Sequence, residues 1–181
     1  QAPARKKTGG AINEDDFTNS GTLVSSLIAT SFSDADAGAL RGIVITSVDT
    51  SHGTWEYTLD GTNWLSIGTP TTTASLLLAA DATTAVRFIP NADYAGVSGL
   101  MDYRAWDQTT GTAGGTADTS ITGGSTAFSV GINGTSVSVA AVNDAPILTA
   151  GSVNNLIVQE DSGLTSLGLG GLTFAPGGGA D

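Results

Sequence analysis

Apolar residues in this chain come in short runs of four to eight, several of them alternating with small or polar residues, and Gly, Asn, Asp, Ser and Thr separate the runs. That pattern predicts strands and turns. The expected strands cover residues 23–32, 41–48, 54–59, 64–67, 75–79, 85–89, 100–106, 127–132 and 136–142. Ile43 and Ile45 share one face of the second, and Val137 and Val139 share one face of the last, as a strand with a buried side requires. Asp60-Gly61 supplies the positive φ of a tight hairpin between residues 54–59 and 64–67, and Asn133-Gly134 reads as a second hairpin. No helical period stands out. About eight or nine strands with turns every 8–12 residues predict an all-β fold, an immunoglobulin- or cadherin-like antiparallel β-sandwich. The glycine-rich stretches 111–124 and 177–179 are expected as loops, the first long enough to be mobile.

Part of the pattern occurs twice. Ile12-Asn13-Glu14-Asp15-Asp16, Thr22-Leu23 and Ser31-Phe32-Ser33-Asp34 are echoed by Val158-Gln159-Glu160-Asp161-Ser162, Leu164-Thr165 and Leu172-Thr173-Phe174, ending at Asp181. Gln1-Ala2-Pro3 is echoed by Asn143-Asp144-Ala145-Pro146. Glu14 and Glu160 stand 146 positions apart, one sandwich domain in length. The expected division is a polar tail or linker at 1–10, a repeat at 11–142, a linker at 143–150, and the start of a next, incomplete repeat at 151–181.

Charge narrows the partners. There are 17 acidic residues against six basic ones, for a net charge of −11. Lys6 and Lys7 are the only lysines, so the body has little with which to neutralise a phosphate backbone or an anionic bilayer. Nucleic acid is excluded as an expected partner, and so is membrane insertion, since no run approaches the 18 apolar residues of a span. Residues 1–10 lack the apolar centre of a signal peptide, so an export signal is expected outside this chain. With no cysteine, neither a disulfide framework nor a thiolate metal site is available.

The acids gather at expected strand ends: Glu14 and Asp15, Asp34 and Asp36, Asp107 after Trp106, and Asn143-Asp144. Clustered carboxylates suit calcium, which takes six to eight oxygens in flexible geometry. Against this stands a plainer reading, in which each aspartate accepts hydrogen bonds from its own turn. The recurrence of the pair as Glu160 and Asp161 tips the balance toward calcium. An EF-hand loop is absent.

Taken in order, Glu14-Asp15, Asp34-Ala35-Asp36, Asp60-Gly61-Thr62-Asn63-Trp64, Phe88-Ile89-Pro90-Asn91-Ala92-Asp93-Tyr94-Ala95-Gly96, Tyr103-Arg104-Ala105-Trp106-Asp107 and Val142-Asn143-Asp144-Ala145-Pro146 resemble the cadherin-like tandem repeats of large bacterial surface adhesins. The resemblance spans residues 10–146 and the opening of a next copy. It implies an immunoglobulin-like sandwich, a secreted or cell-surface location, calcium at domain junctions, and a role extending a binding tip from a cell. The ligands it implies are Glu14, Asp34, Asp36, Asp107, Asn143 and Asp144; Asp15, and Glu160, Asp161 and Asp181 of the second copy, complete the candidate set. The chain departs from animal cadherins in having only Asn143-Asp144 where they carry a longer acidic linker. Pro176-Gly177-Gly178-Gly179 stands before Asp181 where the first copy has Asp34-Ala35-Asp36.

Other chemistry is thin. His52 lies alone in a turn, which gives no basis for zinc or Ser/His/Asp catalysis. Trp55, Tyr57 and Trp64 flank one hairpin and form a candidate sugar-stacking platform, although at least two of them are expected in the core. Asn133-Gly134-Thr135 is formally a glycosylation sequon, but the turn reading is stronger. The expected function is a non-enzymatic extension module whose partners are neighbouring repeats of the same chain. The alternatives are a glycan- or protein-binding module and a subunit that assembles with like protomers in a surface layer or filament.

Overall fold

The computed structural model describes residues 6–29, 38–152, 157–175 and 177. In chain order the elements are β1 (Lys6–Asn13), β2 (Thr22–Leu23), α1 (Val24–Ile28), β3 (Gly42–Val48), β4 (Gly53–Thr58), β5 (Leu65–Ser66) and β6 (Ser75–Ala79). They continue with β7 (Ala85–Pro90), β8 (Gly96–Val97), β9 (Met101–Trp106), β10 (Thr116–Ala117), β11 (Asn133–Ala140), β12 (Ile147–Ala150) and β13 (Thr173–Ala175). Among the described residues the structure is all-β apart from one short helix and a 3-10 turn at Leu169–Gly171. A seven-stranded mixed sheet runs β1-β11-β9-β3-β6-β10, with β8 also on β11, and a four-stranded antiparallel sheet runs β2-β7-β4-β5.

Alternation builds one core from both sheets. Ile43, Ile45, Leu76, Leu78, Met101, Tyr103, Val137 and Val139 of the larger sheet pack with Trp55, Tyr57, Val86 and Phe88 of the smaller. Every second residue along each strand thereby leaves water. The larger sheet is covered on its other side as well: Val44, Leu77 and Trp106 pack with Ala127 and Phe128. This explains why β3 is buried from Gly42 through Thr46, on both faces. Gly42 is required there, because a Cβ would lie 2.6 Å from the Trp106 ring and 2.7 Å from the Leu78 carbonyl.

Four sequence expectations need correction. Residues 24–28, read as strand, form α1, because Val24, Leu27 and Ile28 stand at helical spacing and all three enter the core. Pairing is not wholly antiparallel, since β1 runs parallel to β11, from Lys6 opposite Gly134 to Asn13 opposite Ala140. Asn133-Gly134 is no hairpin; it opens β11, opposite Tyr103 and Asp102 of β9. Residues 127–132 form no continuous strand: Phe128 makes an isolated bridge to Trp106, flanked by bonds from Asp107 N to Ala127 O and from Ser129 N to Ala105 O, and the pairing with β9 becomes regular only from Asn133. The glycine-rich stretch is tied to the sheet edge by β10 on β6 and by bonds from Gly114 N to Leu77 O and from Leu77 N to Gly115 O.

β1 starts at Lys6, within the stretch expected as a tail. Past residue 143, β12 and β13 form a two-stranded sheet that leaves Ile147, Leu148 and Phe174 exposed. Among the described residues no helix is long and apolar enough to cross a membrane.

Candidate functional site

Strand register sorts the candidate acids into two ends of the larger sheet. β9 pairs antiparallel with β11, Tyr103 opposite Asn133, so Asp107 continues away from the end where β11 finishes at Ala140. Asn13 of β1 lies opposite Ala140, which puts Glu14 and the exit residues Asn143 and Asp144 at that finishing end. From Asp107 to Glu14 is roughly 35 Å at about 3.3 Å per residue. One ion cannot touch both. Asp34, Asp36 and Asp181 lie outside the described residues.

Glu14 is unusual for a charged residue in being only 1% exposed. Its backbone N–H donates to Ala140 O at 3.0 Å, extending the β1–β11 ladder by one step. Its Oε1 accepts the Val142 N–H at 2.7 Å, bridging the first and last strands of the unit. Its Oε2 is buried with no hydrogen-bond partner. A buried carboxylate oxygen without a partner is costly, and a bound cation would offset that cost. Hard oxygen donors stand in sequence beside the Glu14–Val142 bond: the side chains of Asn143 and Asp144, and backbone carbonyls. This is the donor chemistry that calcium takes. Among the described residues no three Asp, Glu or His side chains converge, so a full shell needs carbonyls, water or a neighbouring unit.

Asp15 is exposed beside Glu14, within a turn closed by Asp16 N donating to Asn13 O at 3.0 Å. The same turn recurs 146 residues on, where Ser162 N donates to Gln159 O at 3.0 Å around Glu160 and Asp161, both exposed. The echo in the sequence is thus an echo in backbone geometry. Two acids outside the candidate set lie toward the Glu14 end. Asp49 closes the loop between β3 and β4 and donates its N–H to Leu100 O, and Asp93 sits at φ 58° ahead of β8. A stack of His52 on Tyr94, with centroids 4.3 Å apart and planes at 7°, holds these two loops together.

Five aspartates, Asp49 and Asp107 among them, follow the plainer reading. Asp49, Asp60, Asp81, Asp107 and Asp118 each accept, through Oδ1, the N–H of the Ser or Thr two residues on, at 2.8–2.9 Å. The sequence marks them all as Asp-x-Ser/Thr, a pattern for turns that satisfy their own backbone. Hydrogen bonds from Ser51, Asn63 and Ser120 hold the Asp49, Asp60 and Asp118 carboxyls below the usual range. For Asp81 burial pushes upward, but the Thr84 and Thr83 bonds outweigh it and the net direction is down.

The sign of the pH dependence follows. The unfolded chain takes up protons first as pH falls, so the stability these turns contribute is full above an unfolded pKa of about 3.9 and is lost below it. Melting temperature should therefore hold from pH 7 to about 5 and drop towards pH 2. Asp60→Asn keeps the acceptor oxygen but cannot titrate, so the drop should be shallower in that variant. Parallel curves for the two proteins would remove Asp60 from the account.

The aromatic platform comes apart. Trp55 and Tyr57 are buried in the core, at 2% and 9% exposure. Trp64 is half-buried under the Arg87 guanidinium, 4.1 Å from its ring, and Arg87 is itself paired with Glu56 at 2.7 Å. A cleft of about 240 Å³ opens at the seam between β1 and β2, and of the three aromatics only Trp55 reaches its lining, with Gly10, Ala11, Thr22, Leu27 and Val137. Comparison with family models, with curated proteins and with solved structures finds no match to this chain.

Proposed function

We propose that residues 6–142 form an immunoglobulin- or cadherin-like sandwich that serves as a non-enzymatic extension module of a secreted or cell-surface repeat protein, with calcium stiffening its junctions. The observation that carries this reading is Glu14, a buried carboxylate with an unpartnered oxygen at the end where the chain leaves through Asn143 and Asp144. Two further features support it. Acidic residues at opposite ends of a unit suit an array in which the exit end of one copy meets the Asp107 end of the next. The repeated Glu-Asp turn at residues 160–161 supplies the beginning of such a copy. In this role Glu14, Asn143 and Asp144 would hold the ion, and neighbouring repeats of the same chain are the partners.

Calcium that binds only the ordered junction stabilises it by mass action, about 2.7 kcal/mol at a concentration 100 times Kd. For a chain of this size the melting temperature should rise by roughly 5–10 °C with calcium and return on chelation. Identical melting in calcium and in chelator would overturn the metal role.

A further inference from the structure

We propose that the cleft between β1 and β2 is a binding site for a small phenol or alcohol, an uncharged molecule with an apolar body and one buried oxygen. The inference goes beyond the spacer reading and does not depend on metal. A bulge opens the cleft. Thr8 lies opposite Ser136 and Ala11 opposite Ser138, so Gly9 and Gly10 together stand opposite the single residue Val137. Bulges of this kind recur beside active sites. Ile12 packs on the core, and by period-two alternation Gly10 shares its face. A side chain at position 10 would enter the space above Val137, yet glycine stands there, and a Cβ on it would meet nothing within 4 Å. The later echo of this stretch carries Leu156 at the matching position, 146 residues on. The opening is thus a property of this unit's own β1.

The walls are held by the protein's own bonds. Asn19 donates from Nδ2 to Asp16 O at 3.1 Å and to Phe88 O at 3.0 Å, and its Oδ1 accepts the Gly21 N–H at 3.2 Å. Arg87 donates to Asn19 O at 3.1 Å, while Glu56 neutralises its charge. Gly21, at φ 68°, lies so close to β7 that a Cβ would clash with the Val86 carbonyl. The loop from Asp16 to Thr22 is thereby fixed against the smaller sheet as one wall. Leu27, Trp55, Phe88 and Val137 give the cleft an apolar floor. Trp55 also brings an Nε1–H that is buried without an acceptor, a cost that a ligand oxygen would remove. A cavity of about 150 Å³ takes benzene, so one of about 240 Å³ takes a ring with a substituent. At the rim the Asp16 carboxylate makes no hydrogen bond or ion pair among the described residues, and the chain carries a net charge of −11. That charge disfavours an anionic ligand.

Indole N–H resonances give a direct readout, with Trp55→Phe identifying the Trp55 signal among the three tryptophans. When the full chain is titrated with p-cresol under chelator, the Trp55 Nε1–H should shift and saturate, with a Kd of roughly 1 mM for so small a ligand. The Trp106 signal, from the other side of the larger sheet, should stay in place. Toluene, which lacks the oxygen, should bind about five- to tenfold more weakly. 4-Hydroxyphenylacetate, which adds a negative charge, should also bind more weakly than p-cresol. Gly10→Leu should fill the cleft and lose saturable binding. Should that variant not fold, the series on the wild type still decides. No saturable shift at Trp55 with p-cresol would overturn the site. Equal binding of toluene or of the anion would overturn the ligand class. A folded Gly10→Leu protein that binds p-cresol like the wild type would put the ligand outside this cleft and overturn the proposal.

Discussion

Trp106→Ala is expected to lower the stability of the module by about 3–5 kcal/mol, the range for removing a large buried aromatic. The indole is 1% exposed and packs with Val44, Leu77, Ala127 and Phe128 on the face of the sheet turned away from the main core. Its Nε1–H donates to Thr110 O at 2.8 Å, so the side chain also holds the start of the segment that covers it. Truncation removes the packing and the bond together. Hydrogen exchange across residues 107–129 should accelerate more than exchange in β4 and β7, because those strands lie in the other sheet. Exposed Leu65→Ala, by contrast, should cost less than about 0.5 kcal/mol. A loss below 1 kcal/mol at Trp106, with exchange unchanged in the covering segment, would show that this second layer is not held by Trp106.

That second layer marks where the sequence was legible and where it was not. Period-two alternation located β3, β4, β6, β7, β9 and β11 to within a few residues, since each buries one face against the opposite sheet and the pattern records that burial. Val44 and Leu77 break the alternation because they are buried on the other side. Nothing local announces a cover supplied by residues 107–129. The helix at Val24–Ile28 was missed for a different reason. Five residues are too few for a helical period to show, and packing of Val24, Leu27 and Ile28 decides the conformation. Asn133-Gly134 carried strong hairpin chemistry, yet no strand precedes it closely enough to pair. Tertiary pairing with β9 and β1 overrode the local preference.

At the candidate site, residue type was legible and position was not. Asp107 and Glu14 look alike as acids at strand ends, but strand direction puts them at opposite ends of the sheet, and strand direction is not written in any one segment. The Asp-x-Ser/Thr spacing was available in the sequence and separates the turn-forming aspartates from Glu14, which is followed by Asp15-Asp16 and has no such partner. Parallel pairing of β1 with β11 leaves no sequence signature. It is, however, what brings Glu14 to Val142 across 128 residues.

Two substitutions at Glu14 should separate its roles. Glu14→Ala removes the acceptor of the Val142 N–H and leaves a small cavity, so it should destabilise by about 1–3 kcal/mol in calcium and in chelator alike. Glu14→Gln keeps the volume and the Oε1 acceptor but removes the charge. In chelator it should match or exceed the wild type, because the native carboxylate buries an oxygen with no partner and a neutral amide costs less to bury. In calcium the order should reverse, with the wild type ahead by the binding free energy, about 2.7 kcal/mol at 100 times Kd. Thermal unfolding of the three proteins in both conditions checks this. If the Gln variant gained the same stability from calcium as the wild type, Glu14 would not be a ligand. If it fell as far as the Ala variant in chelator, the charge itself would be making the bond to Val142, and the free oxygen would be a cost the fold carries for that bond between its first and last strands and not for an ion.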